Sequence, residues 1–158
     1  MRTLDSKTAE PVEAAARPAP ERPRVLVIDD EPLLRRSLSH LLTRAGFRVT
    51  EAAGGADGIR QLREAPVDLV LTDLRMPDCS GWEVARAARQ FSPGLPVVLV
   101  TGDSKAEEAA PELRALVRAI IPKPVYAETL LPMVSALMAV PCPEKEEQVG
   151  VQEREPRS

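Results

Sequence analysis

Aromatic side chains are scarce in this chain: one Trp, one Tyr and two Phe make up 3% of its 158 residues. That scarcity argues against the stacking platforms with which proteins hold single-stranded nucleic acid. Cysteine is rarer still. Cys79 and Cys142 form no C-x-x-C pair and, with His40 the only histidine, no Cys/His cluster of zinc-site spacing exists. Both thiols read as small hydrophobes or spectators. An excess of positive charge is missing too. The 21 Lys and Arg are outnumbered by 24 Asp and Glu, giving a net charge of −3 and excluding a broadly basic nucleic-acid surface. No apolar run approaches the ~18 residues that cross a membrane. No apolar core follows the first basic residue, as a secretory signal requires. A cytoplasmic location is the default expectation.

Proline, by contrast, is plentiful, with 16 residues, and its placement marks the ends. Residues 1–23 hold Pro11, Pro18, Pro20 and Pro23, with only Met1, Leu4 and Val12 as large apolar side chains. Residues 141–158 hold Pro141 and Pro143 and then Glu-rich text. Neither segment can bury enough surface to offset its ordering entropy, so both are expected to be disordered tails. The domain is expected over residues 24–140, long enough for a sizeable core.

Within that span, apolar patterns alternate between two periods. Arg24 to Ile28 is a continuous apolar strand. Leu34, Leu38, Leu41 and Leu42 recur at i, i+4, i+7, i+8, the stripe of an amphipathic helix. Phe47, Val49 and Ala52 alternate with polar residues, as a half-exposed strand does. Residues 54–64 put Ile59 and Leu62 on one helical face. A strand over 68–72, a helix near 81–91 with Val84, Ala85 and Ala88 inward, a strand over 96–100 and a short strand over 118–121 follow. Pro111 suits the first position of a short helical piece over 111–117. A last helix over 126–139 turns Leu130, Val134, Leu137 and Met138 to one side, and Pro132 inside it predicts a kink. This is βα repeated five times, an α/β fold with helices on both faces of a parallel sheet. The first, third and fourth strands are apolar throughout and so are central; the second alternates and so lies at an edge. The order 2-1-3-4-5 follows, a flavodoxin-like doubly wound sheet.

In such a sheet, ligands gather beyond the carboxyl ends of the strands. Asp29, Asp30 and Glu31 follow the first strand, Asp73 the third, Thr101 the fourth, and Lys123-Pro124 the fifth. Carboxylates brought together repel, unless a cation and an ammonium compensate them. Oxygen ligands favour a hard ion such as Mg²⁺. A carboxylate can also be the nucleophile that accepts a phosphoryl group, a transfer that needs positioning and charge neutralisation above all. At the mouth of this cleft, Arg75 and Asp103 follow neighbouring strands and are placed to form an ion pair, with Glu31 as a competing partner for Arg75.

The text Val25-Leu-Val-Ile-Asp-Asp-Glu31, then Leu71-Thr-Asp-Leu-Arg-Met-Pro-Asp-Cys-Ser-Gly81, then Val97-Val-Leu-Val-Thr-Gly102, then Ile120-Ile-Pro-Lys-Pro124 resembles the CheY-like receiver domains of two-component response regulators. The resemblance covers roughly residues 24–140. It implies that Asp73 is the phosphoacceptor, and that Asp29, Asp30, Asp73 and the backbone carbonyl of Arg75 hold Mg²⁺. It also implies that Thr101 bonds the phosphoryl group, that Lys123 pairs with its charge, and that the Lys123–Pro124 bond is cis. The implied partners are a sensor histidine kinase or phosphotransfer protein and an unknown downstream protein, with no nucleic acid and no membrane. The implied domain is a switch in a phosphorelay, not a turnover enzyme, though it catalyses its own phosphorylation and dephosphorylation. Where the family often carries an aromatic switch residue, this chain has Ile120. His40 lacks the paired-helix setting of a phosphohistidine, and the family draws on a partner's histidine. Two alternatives remain. An aspartate-nucleophile phosphatase of the haloacid-dehalogenase type resembles this chemistry, but wants an Asp where Arg75 stands. A degenerate receiver kept only as an interaction module conflicts with the intact Asp30, Asp73, Thr101 and Lys123. The 20 residues after Met138 are too few for a helix-turn-helix domain, so output by protein–protein contact is expected.

Overall fold

A computed structural model of the chain describes residues 21–139; both expected tails, 1–23 but for its last three residues and 141–158, lie outside that range. Five strands, β1 (Arg24–Ile28), β2 (Arg48–Ala52), β3 (Leu69–Asp73), β4 (Val97–Thr101) and β5 (Ala119–Pro122), form one parallel sheet in the order β2-β1-β3-β4-β5. Between and after them run α1 (Pro32–Arg44), α2 (Gly55–Glu64), α3 (Gly81–Phe91), the short α4 (Pro111–Arg114) and α5 (Ala127–Ala139), plus a 3₁₀ turn over Ala106–Glu108. The doubly wound order is the one that the strand patterns predict.

Successive side chains of a strand point to opposite faces, and two cores result. Val25, Val27, Leu69, Leu71, Val98 and Val100 face α1 and α5, where Leu38, Leu42, Leu130 and Val134 meet them. Leu26, Ile28, Val70 and Val97 face α2 and α3, packing against Leu62, Val84, Ala85 and Ala88. β3 and β4 are buried at every residue, whereas β2 is exposed at three of its five. Such burial stabilises the sheet by roughly 1.5–3 kcal/mol for each large aliphatic side chain.

Pro111 and Pro132 both stand in helices, as the sequence predicts. Pro111 does start a helix, at its first turn, but α4 ends at Arg114, and single turns carry the chain on to Val117. Pro132 does not interrupt α5. The amide that proline lacks would have served the carbonyl of Glu128, and both residues are exposed, so water can satisfy that carbonyl.

Candidate functional site

Strand register brings the polar residues together. Ile28 lies opposite Thr72, Asp73 opposite Val100, and Thr101 opposite Pro122. The residue at or just past each strand end is therefore one of Asp29, Asp73, Thr101 or Lys123. Carboxylate oxygens of Asp29, Asp30 and Asp73 lie within 4.8 Å of one another. Lys123 Nζ reaches between two of them, 3.6 Å from Asp29 Oδ2 and 3.4 Å from Asp73 Oδ2. The Lys123–Pro124 peptide is cis. Asp29, Asp73 and Thr101 are buried, while Asp30 is exposed. Arg75 sits in the β3–α3 loop, two residues past Asp73.

Local hydrogen bonds set the orientation of each group. Asp29 Oδ1 accepts from the amide of Glu31 at 2.9 Å. Its Oδ2 is buried with no hydrogen-bond partner. Burial pushes the Asp29 carboxyl above its ordinary range, against the amide of Glu31 and the charge of Lys123, with Asp73 and Asp30 adding to the rise. The Oδ1 of Asp73 accepts from the amide of Leu74 at 2.8 Å. Thr101 Oγ1 accepts from the amide of Asp103 at 3.0 Å, which leaves its hydroxyl proton to donate elsewhere. Gly81 lets α3 start against the strand of Asp73: its amide donates to the carbonyl of Leu74 at 2.8 Å, and a Cβ there would lie 2.5 Å from the carbonyl oxygen of Asp73. Ser80 caps the same helix, accepting from the amide of Glu83 at 3.3 Å.

This donor set suits a divalent cation. Three carboxylates, one with an orphaned buried oxygen, converge on a space that a single ammonium only partly compensates, and all are hard oxygen ligands. At the mouth, Arg75 Nη2 donates to Asp103 Oδ2 at 2.6 Å, as the spacing predicts; Glu31 does not compete for it among the described residues. The amide of Lys105, and then the Arg75 guanidinium, hold the Asp103 carboxyl below its usual range.

Two supports of the site have no local signal in the sequence. Arg35 Nη1 donates to the carbonyl of Asp29 at 2.8 Å while its Nε pairs with Glu51 at 3.1 Å, fixing the first acidic loop to the edge strand. Asp78 accepts from the amides of Gly55 at 3.1 Å, Ala56 at 2.8 Å and Cys79 at 2.8 Å. It thus caps α2 from the loop that carries Arg75. Cys79 beside it is packed so closely that a Cβ on Gly55 would fall 2.1 Å from its Sγ. Burial, with the nearby Asp78 and Glu83, pushes this thiol up to about 11.

Residues 25–135 match the family model of the response regulator receiver domain. The transcriptional regulatory protein GlrR of Escherichia coli K12 is 31% identical over 123 residues, which are 78% of this chain and 28% of that protein. The sensor histidine kinase RcsC of Salmonella typhimurium is 35% identical over 106 residues, 67% of this chain and 11% of that protein. The chain thus spans little more than a quarter of GlrR and a tenth of RcsC. Two solved structures are covered almost whole. A CheY-like receiver domain protein from Methanospirillum hungatei superposes with a TM-score of 0.71 at 28% identity, over 81% of this chain and 99% of that one. The response regulator TrrA from Thermotoga maritima, in complex with Mg²⁺ and BeF, gives 0.68 at 28% identity, over 73% and 98%. No helix among the described residues is long and apolar enough to cross a membrane. The sheet order agrees with these matches, and the chain belongs to the response regulator receiver family.

Proposed function

We propose that Asp73 is the phosphoacceptor of a two-component phosphorelay, taking its phosphoryl group from a histidine of a sensor kinase or phosphotransfer protein in the cytoplasm. A carboxylate oxygen of Asp73 forms the new bond to phosphorus as the P–N bond of the phosphohistidine breaks. The imidazole leaves with the bonding pair and takes a proton from solvent. Asp29, Asp30, Asp73 and the backbone carbonyl of Arg75 would hold Mg²⁺, which when bound neutralises charge on the incoming group. Lys123 supplies a second positive charge, and the free hydroxyl proton of Thr101 serves a phosphoryl oxygen.

The observation that carries this reading is the position of Lys123 Nζ, within 3.6 Å of both Asp29 and Asp73. An ammonium bridging the nucleophile and its neighbouring carboxylate is placed to meet anionic cargo, and it faces Asp29 Oδ2 at 3.6 Å without giving that buried oxygen a hydrogen bond. The functional unit is residues 24–140. The domain carries one phosphoryl group at a time and does not turn over a substrate. Its output is a change in a binding surface, driven by the added charge of about −1.5 to −2. A phosphatase of the aspartate-nucleophile type would need an acid two residues past Asp73. Arg75 stands there and is paired with Asp103.

Acetyl phosphate with Mg²⁺ is expected to label the protein with an acid-stable, base-labile acyl phosphate, and Asp73→Ala to abolish the label. Labelling that survives in the variant would refute the assignment. Wild type that binds Mg²⁺ but takes no label from either acetyl phosphate or a phosphorylated histidine donor would favour the interaction-module reading.

A further inference from the structure

The helix α1 has no acidic residue: its charges are Arg35, Arg36, His40 when protonated, and Arg44. Arg35 turns inward to Asp29 and Glu51. Arg36, His40 and Arg44 recur at i, i+4, i+8 and form one exposed row. Leu33, Ser37 and Leu41 form the adjoining row at the same spacing. Between that second row and Leu131 of α5 lies an open groove of about 770 Å³. At its head, Leu33 is 78% exposed. The α5 wall is also free of positive charge, Glu128 being the one ionisable residue of that helix. The groove is an apolar trough with a single cationic bank, and among the described residues no carboxylate pairs with Arg36 or Arg44.

Its occupant needs carboxylates along one side and a few small apolar side chains. A second copy of the same face, related by a twofold axis, would set the cationic banks against each other. The chain itself supplies the complement. Residues 143–151 read Pro-Glu-Lys-Glu-Glu-Gln-Val-Gly-Val: three carboxylates against one ammonium, then two valines. Connectivity puts this text at the right place. The strands β1 and β5 are parallel, so α1 and α5, which return from them, end at the same edge of the domain. A segment leaving Ala139 therefore starts from the edge of the domain at which α1 also ends. From Leu33 to Arg44 the groove runs about 17 Å at 1.5 Å per helical residue. The twelve steps from Ala139 to Val151 can span roughly 40 Å when extended, enough to turn and follow it.

We propose that residues 143–151 dock intramolecularly in the α1–α5 groove, with Glu144, Glu146 and Glu147 along the Arg36–Arg44 bank and Val149 and Val151 on Leu33, Leu41 and Leu131. Taken alone this segment has too little apolar surface to fold, but a preformed trough requires it only to lie down. The head of the groove adjoins the Asp29–Glu31 loop, so a docked segment flanks the acidic site on its α1 side. The docking is independent of the role of Asp73.

A nitroxide on Gln152→Cys, in the full chain with Cys79→Ser and Cys142→Ser, tests it by paramagnetic broadening. Amide signals from Leu33 to Ala45 are expected to be lost, while those of α2 and α3 on the opposite face persist. Arg36→Glu with Arg44→Glu is expected to restore the lost signals. Adding Glu144→Lys, Glu146→Lys and Glu147→Lys to that variant is expected to remove them again. Should the reversal disturb the fold, raising the ionic strength of the parent protein provides the same release by screening. Broadening spread evenly over the domain, or unchanged by charge reversal and by salt, overturns the proposal and leaves the groove to a separate partner. Broadening that arises only between a nitroxide-bearing molecule and an unmodified one overturns it in favour of a second copy.

Discussion

Replacing Asp78 by Ala removes one side chain that accepts from three backbone amides, those of Gly55, Ala56 and Cys79. The first two are orphan donors at the start of α2, where the residue in the capping position is Gly54 and has no side chain to offer. Loss of a helix cap costs ~0.5–2 kcal/mol, and loss of a negative charge at a helix start a further ~0.3–1 kcal/mol. Asp78 is exposed, so water recovers part of both. An overall loss of about 1–2 kcal/mol is expected, which at a urea slope of about 2 kcal/mol per molar lowers the midpoint by roughly 0.5–1 M with the slope unchanged. Asp78→Asn keeps an acceptor and loses the charge, so it should fall between. The amides, that of Ala56 foremost, hold the Asp78 carboxyl below its ordinary range. The charge-dependent part is then fully present above the ordinary carboxylate pKa and lost as pH falls through the lower folded value, so the gap between wild type and Asp78→Asn narrows below about pH 4. Hydrogen exchange at Gly55, Ala56 and Cys79 should quicken in the Ala variant. A midpoint shift within the ~0.5 kcal/mol of an ordinary surface change, with exchange at those amides unaltered, would refute the capping argument.

Arg75→Ala and Asp103→Ala should each change the rate at which the acyl phosphate hydrolyses, and the double variant should match either single one, because a pair that covers the cleft as a unit is non-additive; additive or null effects in a dephosphorylation time course would remove the gate. Gly81→Ala places a methyl 2.5 Å from the carbonyl oxygen of Asp73, so a loss of about 1–3 kcal/mol from overpacking should accompany slower labelling; wild-type behaviour in both would mean that α3 yields freely there. In a Cys142→Ser background, Cys79, with its thiol pushed up to about 11, should alkylate very slowly with iodoacetamide at pH 8 and faster as pH rises; rapid modification at pH 7 would show a reactive thiolate.

The sheet was legible because a doubly covered strand has no polar face to confuse the pattern. Val25–Ile28 and Val97–Val100 are apolar at consecutive positions, and the alternation of β2 placed it at the edge. The polar cluster was legible for a related reason: once strand order is known, the residue after each strand has a spatial address, and Asp29, Asp73, Thr101 and Lys123 needed no further signal. What escaped was non-local within that frame. Capping signals are read over three or four residues, yet Asp78 caps a helix that begins 23 positions upstream. Arg35 looked like one more basic residue of α1, and only the depth at which that helix packs turns it to the carbonyl of Asp29. Ala106–Glu108 is a single turn, too short to have a period. The trough beside Leu33 depends on how far α1 stands from α5, a distance no spacing in either helix records.

Among the described residues two buried side-chain atoms lack a hydrogen-bond partner, Oγ of Ser39 in α1 and Oδ2 of Asp29 at the carboxyl edge. Both faces of the sheet are covered by apolar side chains, and of the buried polar residues all but Ser39 of α1, namely Asp29, Thr72, Asp73 and Thr101, lie at the carboxyl edge. Thr72 and Thr101 are satisfied there, since each hydroxyl oxygen takes part in a hydrogen bond. Asp29 Oδ2 has no hydrogen bond there, though Lys123 Nζ lies 3.6 Å from it, and Asp30 and Asp73 share the same few ångströms. A buried polar atom lacking a hydrogen bond destabilises the fold by roughly 1–3 kcal/mol, and at Asp29 the charge of Lys123 offsets part of that. On the proposed reading the charge is kept because a cation and a phosphoryl group visit it. The local rule is broken at Ser39 and at Asp29, and the second of these lies where, on that reading, metal and nucleophile meet.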